Sequence, residues 1–176
     1  MLLWMMIGCG ATEEVVLLEE EPGRLTGDVE ADLTRMKGCG TVGMYAFPDE
    51  DDVLLTAIQR GMIEALYDLE ASSIHRVITL PDDTTKVTIE TGKKLGAYHC
   101  NDVVTDTVFD EGIFVAEEGT LELLAVPVEV SDPLPLETPA RASLILTDVR
   151  FVHDTDGREV YLERIVWTET VGVSIP

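Results

Sequence analysis

The chain has 176 residues, 45% of them hydrophobic, which is enough for one domain with a substantial core. It carries 34 acidic residues against 12 Lys and Arg, giving a formal net charge of −22 at pH 7. This balance argues against nucleic-acid binding, which needs Lys and Arg patches for the phosphates, and against electrostatic attachment to anionic lipid.

The N-terminus is an apolar run, Leu2 to Ile7, that ends in Gly8-Cys9. It is too short for a membrane-spanning helix, which needs about 20 residues, and it lacks the basic n-region of an ordinary signal peptide. Met6-Ile7-Gly8-Cys9 resembles the lipobox of bacterial lipoproteins. The alternative is an N-terminal strand with an ordinary core cysteine.

The resemblance to small bacterial lipoproteins implies a location in the cell envelope. Residues 1–8 would be a signal segment, either truncated or atypical, and Cys9 would carry the lipid that anchors the protein to the membrane. In Gram-negative lipoproteins an Asp after the cysteine favours inner-membrane retention, so Gly10 favours anchoring in the outer membrane.

Residues 9–35 are predicted to form a lipid-anchored acidic tether. Five glutamates surround the short apolar stretch Val15 to Leu18, and Pro22-Gly23 then breaks the chain. As a flexible coil, about 25 residues would have a root-mean-square span of roughly 25–30 Å. Alternatively, Val15 to Leu18 adds an edge strand to the domain.

Residues 36–176 are predicted to form the folded domain. Met62, Leu66 and Leu69 have helical spacing, which predicts one short helix within 60–70. Alternating apolar residues and turn signals predict about eight to ten strands. These include strands at 38–47, 53–58, 75–80, 86–90 and 95–100, and hairpins over 113–130 and 142–166. The fold class is therefore mainly all-β, an antiparallel β-sandwich or barrel-like domain with one short helix.

The cysteine count depends on the lipobox. If Cys9 is lipidated, Cys39 and Cys100 remain as an even pair, and outside the cytoplasm such a pair is expected to form a disulfide. The alternative is a nucleophilic cysteine. His99 precedes Cys100, but adjacent strand residues point to opposite faces, so the histidine is badly placed to activate the thiol.

Two acidic loops are candidate Ca²⁺ sites. Asp154 and Asp156 alternate before Gly157, and Asp49, Asp51 and Asp52 lie in a second loop. Alternating carboxylates can supply hard oxygen ligands, although the complete EF-hand pattern is absent. We favour the simpler interpretations, a hairpin turn for the first loop and a solvated acidic turn for the second.

No catalytic motif emerges from the residues. The three histidines are widely spaced, and no Gly-x-Ser-x-Gly elbow or P-loop is present. The sequence therefore predicts a non-enzymatic envelope lipoprotein, a structural, adhesive or partner-binding module whose partner is an envelope protein or a glycan. The alternative is a Ca²⁺-dependent or carbohydrate-binding domain that uses the acidic loops. A sugar-stacking platform could be built from Tyr45, Phe47, Tyr98, Tyr161 and Trp167, but aromatic residues in strands more often belong to the core, and we favour that interpretation.

Overall fold

The computed structural model describes residues 17–40, 42–49, 52–68, 71–95, 109–128 and 139–171. Antiparallel strands dominate these ranges and a single short helix lies among them, which confirms the predicted all-β class. The strands are β1 (Gly23–Gly27), β2 (Ala31–Leu33), β3 (Arg35–Cys39), β4 (Gly43–Phe47), β5 (Val53–Gln59), β6 (Ile74–Thr79), β7 (Thr85–Lys93), β8 (Phe109–Pro127), β9 (Ala140–His153) and β10 (Glu159–Val171). The helix is α1 (Met62–Asp68).

The strands form one antiparallel sheet that curls into a nearly closed barrel. Its order is β2-β1-β10-β9-β8-β7-β5-β4-β3, and β6 pairs with β8 beside this path. At the seam, β3 lies against β10 close to Gly38, where an added Cβ would come within 2.8 Å of the Glu169 Cβ. Glycine at this position therefore lets the two strands approach each other.

The core lies inside the barrel because apolar side chains alternate along the strands. In β5, Val53, Leu55 and Ala57 belong to the main interior cluster, whereas Leu54 belongs to a separate cluster on the other face. Trp167 is among the largest side chains in the interior and is fully buried. The helix α1 contributes buried Met62, Ile63 and Leu66 to the same core.

β8 is one long strand where a hairpin over 113–130 was expected, so that prediction is wrong. The chain continues through the predicted turn with two register shifts between Ala116 and Thr120, and Gly119 adopts φ +126°. These irregularities are β-bulges, which bend a strand without reversing it. The first part of β8 pairs with β7 and the later part with β6.

The predicted strand over 38–47 is instead the hairpin of β3 and β4. Gly40 and Val42, on either side of residue 41, have φ values of +58° and +39°. Backbone in this region reverses the chain, so Cys39 pairs with Gly43.

The folded region begins well before residue 36, so the predicted boundary of the tether is wrong. β1 and β2 lie within the expected tether, and Leu25 and Leu33 are fully buried in the core. β1 pairs with β10, which is far away in sequence. The exposed face of β1 is polar, so composition alone does not predict this strand.

The remaining strand predictions are close to the structure. The long hairpin near the C-terminus is confirmed as β9 and β10, paired along almost their full lengths. The strands predicted at 53–58, 75–80 and 86–90 correspond to β5, β6 and β7. β7 extends beyond the predicted strand end at residue 90 as far as Lys93, with a bulge after Thr91. Residues 96–100, part of a predicted strand, lie outside the described residues.

Candidate functional site

The first described residues, 17–21, cross the outer face of β8–β10, and we call this segment the strap. The Leu18 N–H donates to Ser143 Oγ at 3.1 Å, and Thr168 Oγ1 donates to the Leu18 carbonyl at 2.7 Å. The two hydroxyl oxygens lie 2.7 Å apart. Since the Thr168 proton is directed to Leu18, the Ser143 hydroxyl donates to Thr168. The hydroxyl pair thus satisfies both backbone groups of one strap residue.

Apolar and charged contacts hold the strap on either side of this pair. Leu17 packs on a small outer cluster of Leu124, Ile145 and Val166. Glu21 exchanges two backbone hydrogen bonds with Val166, at 3.0 and 2.9 Å. Its carboxylate also contacts Arg164 Nε at 3.0 Å. The strap therefore fixes the point on the surface from which the chain before Leu17 departs.

The cysteine predictions fall largely outside the described residues. Cys9 and Cys100 both lie there, so lipidation and the disulfide stay predictions. Cys39 is half-buried at the end of β3 and packs against a second cluster on the outer face of the sheet. The cluster consists of Tyr45, Phe47, Leu54 and Leu95.

The loop containing Asp154 and Asp156 is the turn between β9 and β10, in agreement with the favoured interpretation. Asp156 Oδ1 lies 2.8 Å from His153 Nδ1, and its Oδ2 lies 2.9 Å from Arg158 Nε. Partial desolvation raises the pKa of Asp156, but hydrogen bonds from the backbone and side chain of Arg158 outweigh it and hold the pKa below its ordinary value. Both carboxylate oxygens are therefore engaged by the protein itself.

His153 is a buried residue that sequence reasoning did not single out. Its ring is 6% exposed and meets the Phe114 ring edge-on, with centroids 4.8 Å apart. Gly112 stands against the ring, since an added Cβ would lie 2.2 Å from His153 Nε2. The sequence signal that could have identified His153 is its position directly before the turn. The histidine packs the turn onto β8.

The second acidic loop forms part of a cleft. Asp49 and Asp52 line it together with Glu30 and Asp32, while Asp51 lies outside the described residues. Arg24 approaches two of these acids, Asp32 at 3.1 Å and Glu30 at 3.9 Å. Among the described residues, no three His, Cys, Asp or Glu side chains converge closely enough to hold a metal ion.

The aromatic residues considered for sugar stacking do not share a surface. Trp167 is fully buried inside the barrel, and Tyr45 and Phe47 belong to the outer cluster, where they are 9% and 5% exposed. Tyr161 is exposed on β10, and Tyr98 lies outside the described residues. The four described members of this set therefore form no common stacking platform.

A polar network on the outer surface joins β8, β9 and β10. Arg150 contacts Glu118 at 3.2 Å and Glu159 at 3.0 Å, and the Tyr161 hydroxyl donates to Glu159. The hydrogen bond from Tyr161, helped by Arg150, lowers the pKa of Glu159, and the same bond raises the pKa of Tyr161. This network lies beside the bulges of β8.

Comparison with known proteins gives no relative: no family model, curated protein or solved structure matches the chain. In the part of the chain that the structure describes, no helix is long and apolar enough to cross a membrane.

Proposed function

We propose that this protein is a lipid-anchored, non-enzymatic lipoprotein of the bacterial envelope that presents a β-barrel-like domain to a partner. The carrying observation is the lipobox-like Met6-Ile7-Gly8-Cys9 placed a short distance before Leu17, the first residue of the strap. Gly10 supports the outer membrane as the site of the anchor. The partner we propose is an envelope protein or a glycan.

Because the strap lies on the domain surface, fewer residues separate Cys9 from the folded domain than in the predicted tether of residues 9–35. Cys9 and Leu17 are eight residues apart (17 − 9), a length that can span at most about 28 Å when fully extended. As a coil it would span roughly 16 Å. A lipid on Cys9 would therefore hold the outer face of β9 and β10 close to the bilayer.

Side chains fill the interior of the barrel, which favours partner binding at its outer surface. Among the described residues, the large side chains of Trp167, Phe114 and Phe151 are fully buried in a continuous apolar interior. A small-molecule site would need a concave pocket with convergent polar groups. The exposed strands and loops are the surface that remains for recognition.

A Cys39–Cys100 disulfide belongs to the same proposal. Leu95 packs in the outer cluster against which Cys39 lies. Cys100 follows Leu95 by five residues, which can span up to about 17 Å, so its sulfur can reach Cys39. In the chain-entropy model, a loop of this size stabilises the folded state by roughly 4 kcal/mol.

The anchor is tested by mass spectrometry of full-length protein extracted from bacterial membranes. We expect the chain to begin at Cys9, to carry a diacylglyceryl group on the thiol and to fractionate with the outer membrane. The Cys9→Ser variant should leave the membrane fraction, while Cys39→Ser serves as the control that keeps the lipid. An unmodified N-terminus, or Cys9→Ser retained in the membrane, contradicts the proposal.

A Ca²⁺-dependent or glycan-binding module is the second candidate. The observation in its favour is the cleft that Glu30, Asp32, Asp49 and Asp52 line, although no three acids among the described residues converge closely enough to hold a metal ion. The engaged carboxylate of Asp156 and the scattered aromatics weigh against it.

A further inference from the structure

In the part of the chain that the structure describes, β6 pairs only with β8 and is therefore an edge strand, whose other side we call the free side. The Leu80 N–H, just after the strand, donates to the Gly119 carbonyl on β8. Because backbone groups alternate in direction along an antiparallel strand, the N–H and C=O groups of His75, Val77 and Thr79 point away from β8. Three donors and three acceptors therefore face the free side.

The side chains of β6 are suited to pairing. Ile74, Val77, Ile78 and Thr79 are β-branched, a type that favours extended backbone. Val77 is 64% exposed on the outer face. A strand edge that pairs with no described residue is a template for an added strand.

The charge of β6 differs from that of the rest of the protein. No acidic residue occurs from Ala71 to Pro81, in a chain with 34 acids. Arg76 is exposed and forms no ion pair with any residue that the structure describes, and it lies on the same face as Ile74 and Ile78, which border the core. A strand added here would meet an unpaired cation between two apolar positions.

We propose that the free edge of β6 binds an extended segment of another protein, which adds a strand to the sheet and places a carboxylate beside Arg76. Main-chain hydrogen bonds would supply affinity, and the Arg76 and Val77 side chains would select the sequence. This inference goes beyond the proposed function and does not depend on the lipid anchor.

A second copy of the chain fits this edge poorly. Pairing about a twofold axis at Arg76 would set two guanidinium groups directly opposite each other, and like charges there are destabilising. An axis at Val77 would set Arg76 opposite Ile78 of the other copy. Neither register supplies a carboxylate, and each copy adds a net charge of −22. The acidic segment of a different protein is the better complement.

The test uses the full chain and a fluorescein-labelled probe, a seven-residue peptide of alternating valine and threonine with a central glutamate. Fluorescence anisotropy should show saturable binding, weakened about tenfold when lysine replaces the glutamate. The Arg76→Glu variant should reverse this preference. Val77→Pro removes an N–H from the free side without breaking a bond to β8, and it should abolish binding. The matched control, Val77→Thr, keeps that N–H and should retain binding.

Nuclear magnetic resonance on the unsubstituted chain supplies a second measurement, which holds if Val77→Pro fails to fold. The probe should shift the amide signals of His75, Val77 and Thr79 more than those of Arg76 and Ile78. Absence of binding at millimolar peptide overturns the proposal and leaves Arg76 as a charge that protects the edge from aggregation. Equal affinity for both peptides, or a dimer dissolved by Val77→Pro, also overturns it.

Discussion

Gly112 lies closely against the buried ring of His153, directly before the β9–β10 turn. A methyl group on Gly112 would lie 2.2 Å from His153 Nε2, and the buried ring is already held against Phe114. We expect Gly112→Ala to lower the free energy of unfolding by about 1–3 kcal/mol, because overpacking forces the ring or the strand to shift.

Urea denaturation measures this effect, and a double-mutant cycle identifies its source. In a His153→Ser background, which removes the ring, Gly112→Ala should cost much less. An equal cost in both backgrounds would show that the strain does not come from the histidine. The sequence could not predict this contact, since residues 112 and 153 meet only through the pairing of β8 with β9.

Glu159 gives a prediction about pH. Its pKa is lowered first by the Tyr161 hydrogen bond and then by Arg150, so the ionised carboxylate stabilises the folded state above the ordinary pKa of 4.5. This stabilisation is lost as the pH falls through the lowered value. We expect Tyr161→Phe to raise the pKa of Glu159, measured by nuclear magnetic resonance titration of its carboxyl carbon.

The signal of one carboxyl group must be followed, because a denaturation experiment reports on all 34 acidic residues at once. Glu163, which lies on the same strand, supplies a reference carboxyl signal in both proteins. An unchanged pKa of Glu159 in Tyr161→Phe would show that the Tyr161 hydrogen bond does not lower it.

At the scale of elements, the strap depends on the hydroxyl pair of Ser143 and Thr168. Removing both hydroxyls with Ser143→Ala and Thr168→Val should lower stability by about 1–3 kcal/mol, since each hydrogen bond contributes roughly 0.5–1.5 kcal/mol. Amide hydrogen exchange at Leu18 should accelerate, because its N–H loses its acceptor. Thr147→Val, on the same outer face, is the matched control. Unchanged protection of Leu18 would mean that Leu17 and Glu21 hold the strap without the hydroxyls.

The errors in the predicted elements have one physical cause. Glu117-Glu118-Gly119 has the composition of a turn, yet in the structure it is a bulged part of β8. Local residues can indicate that regular strand pairing is interrupted. They do not distinguish a turn from a β-bulge, because glycine with a positive φ occurs in both. Likewise β1 is polar on one face, and only its pairing with β10 identifies it as a strand.

At the scale of the whole molecule, a net charge of −22 on one barrel-like domain predicts stabilisation by salt. Screening has a length of about 10 Å at 0.1 M and should weaken the mutual repulsion of surface carboxylates. The melting temperature should rise by about 2–4 °C for each kcal/mol of repulsion removed. Thermal melts in NaCl and KCl measure it, and the two salts should act equally.

The same thermal melts test whether the acidic cleft binds Ca²⁺. CaCl₂ at matched ionic strength should raise the melting temperature no more than NaCl does. A larger rise that disappears in Asp49→Asn together with Asp52→Asn would favour the calcium-dependent alternative. A melting temperature that falls with NaCl would contradict the repulsion argument.

The sequence by itself determined the all-β class, the short helix, the long C-terminal hairpin and the turn at Asp154 to Gly157. These features follow from hydrophobic periodicity and from turn-forming residues, both of which depend on residues close together in the sequence. The lipobox and the cysteine pair are also sequence predictions, and Cys9 and Cys100 lie outside the described residues. Tertiary structure alone decided the strap, the nearly closed barrel and the edge position of β6, because each depends on which residues far apart in sequence come together.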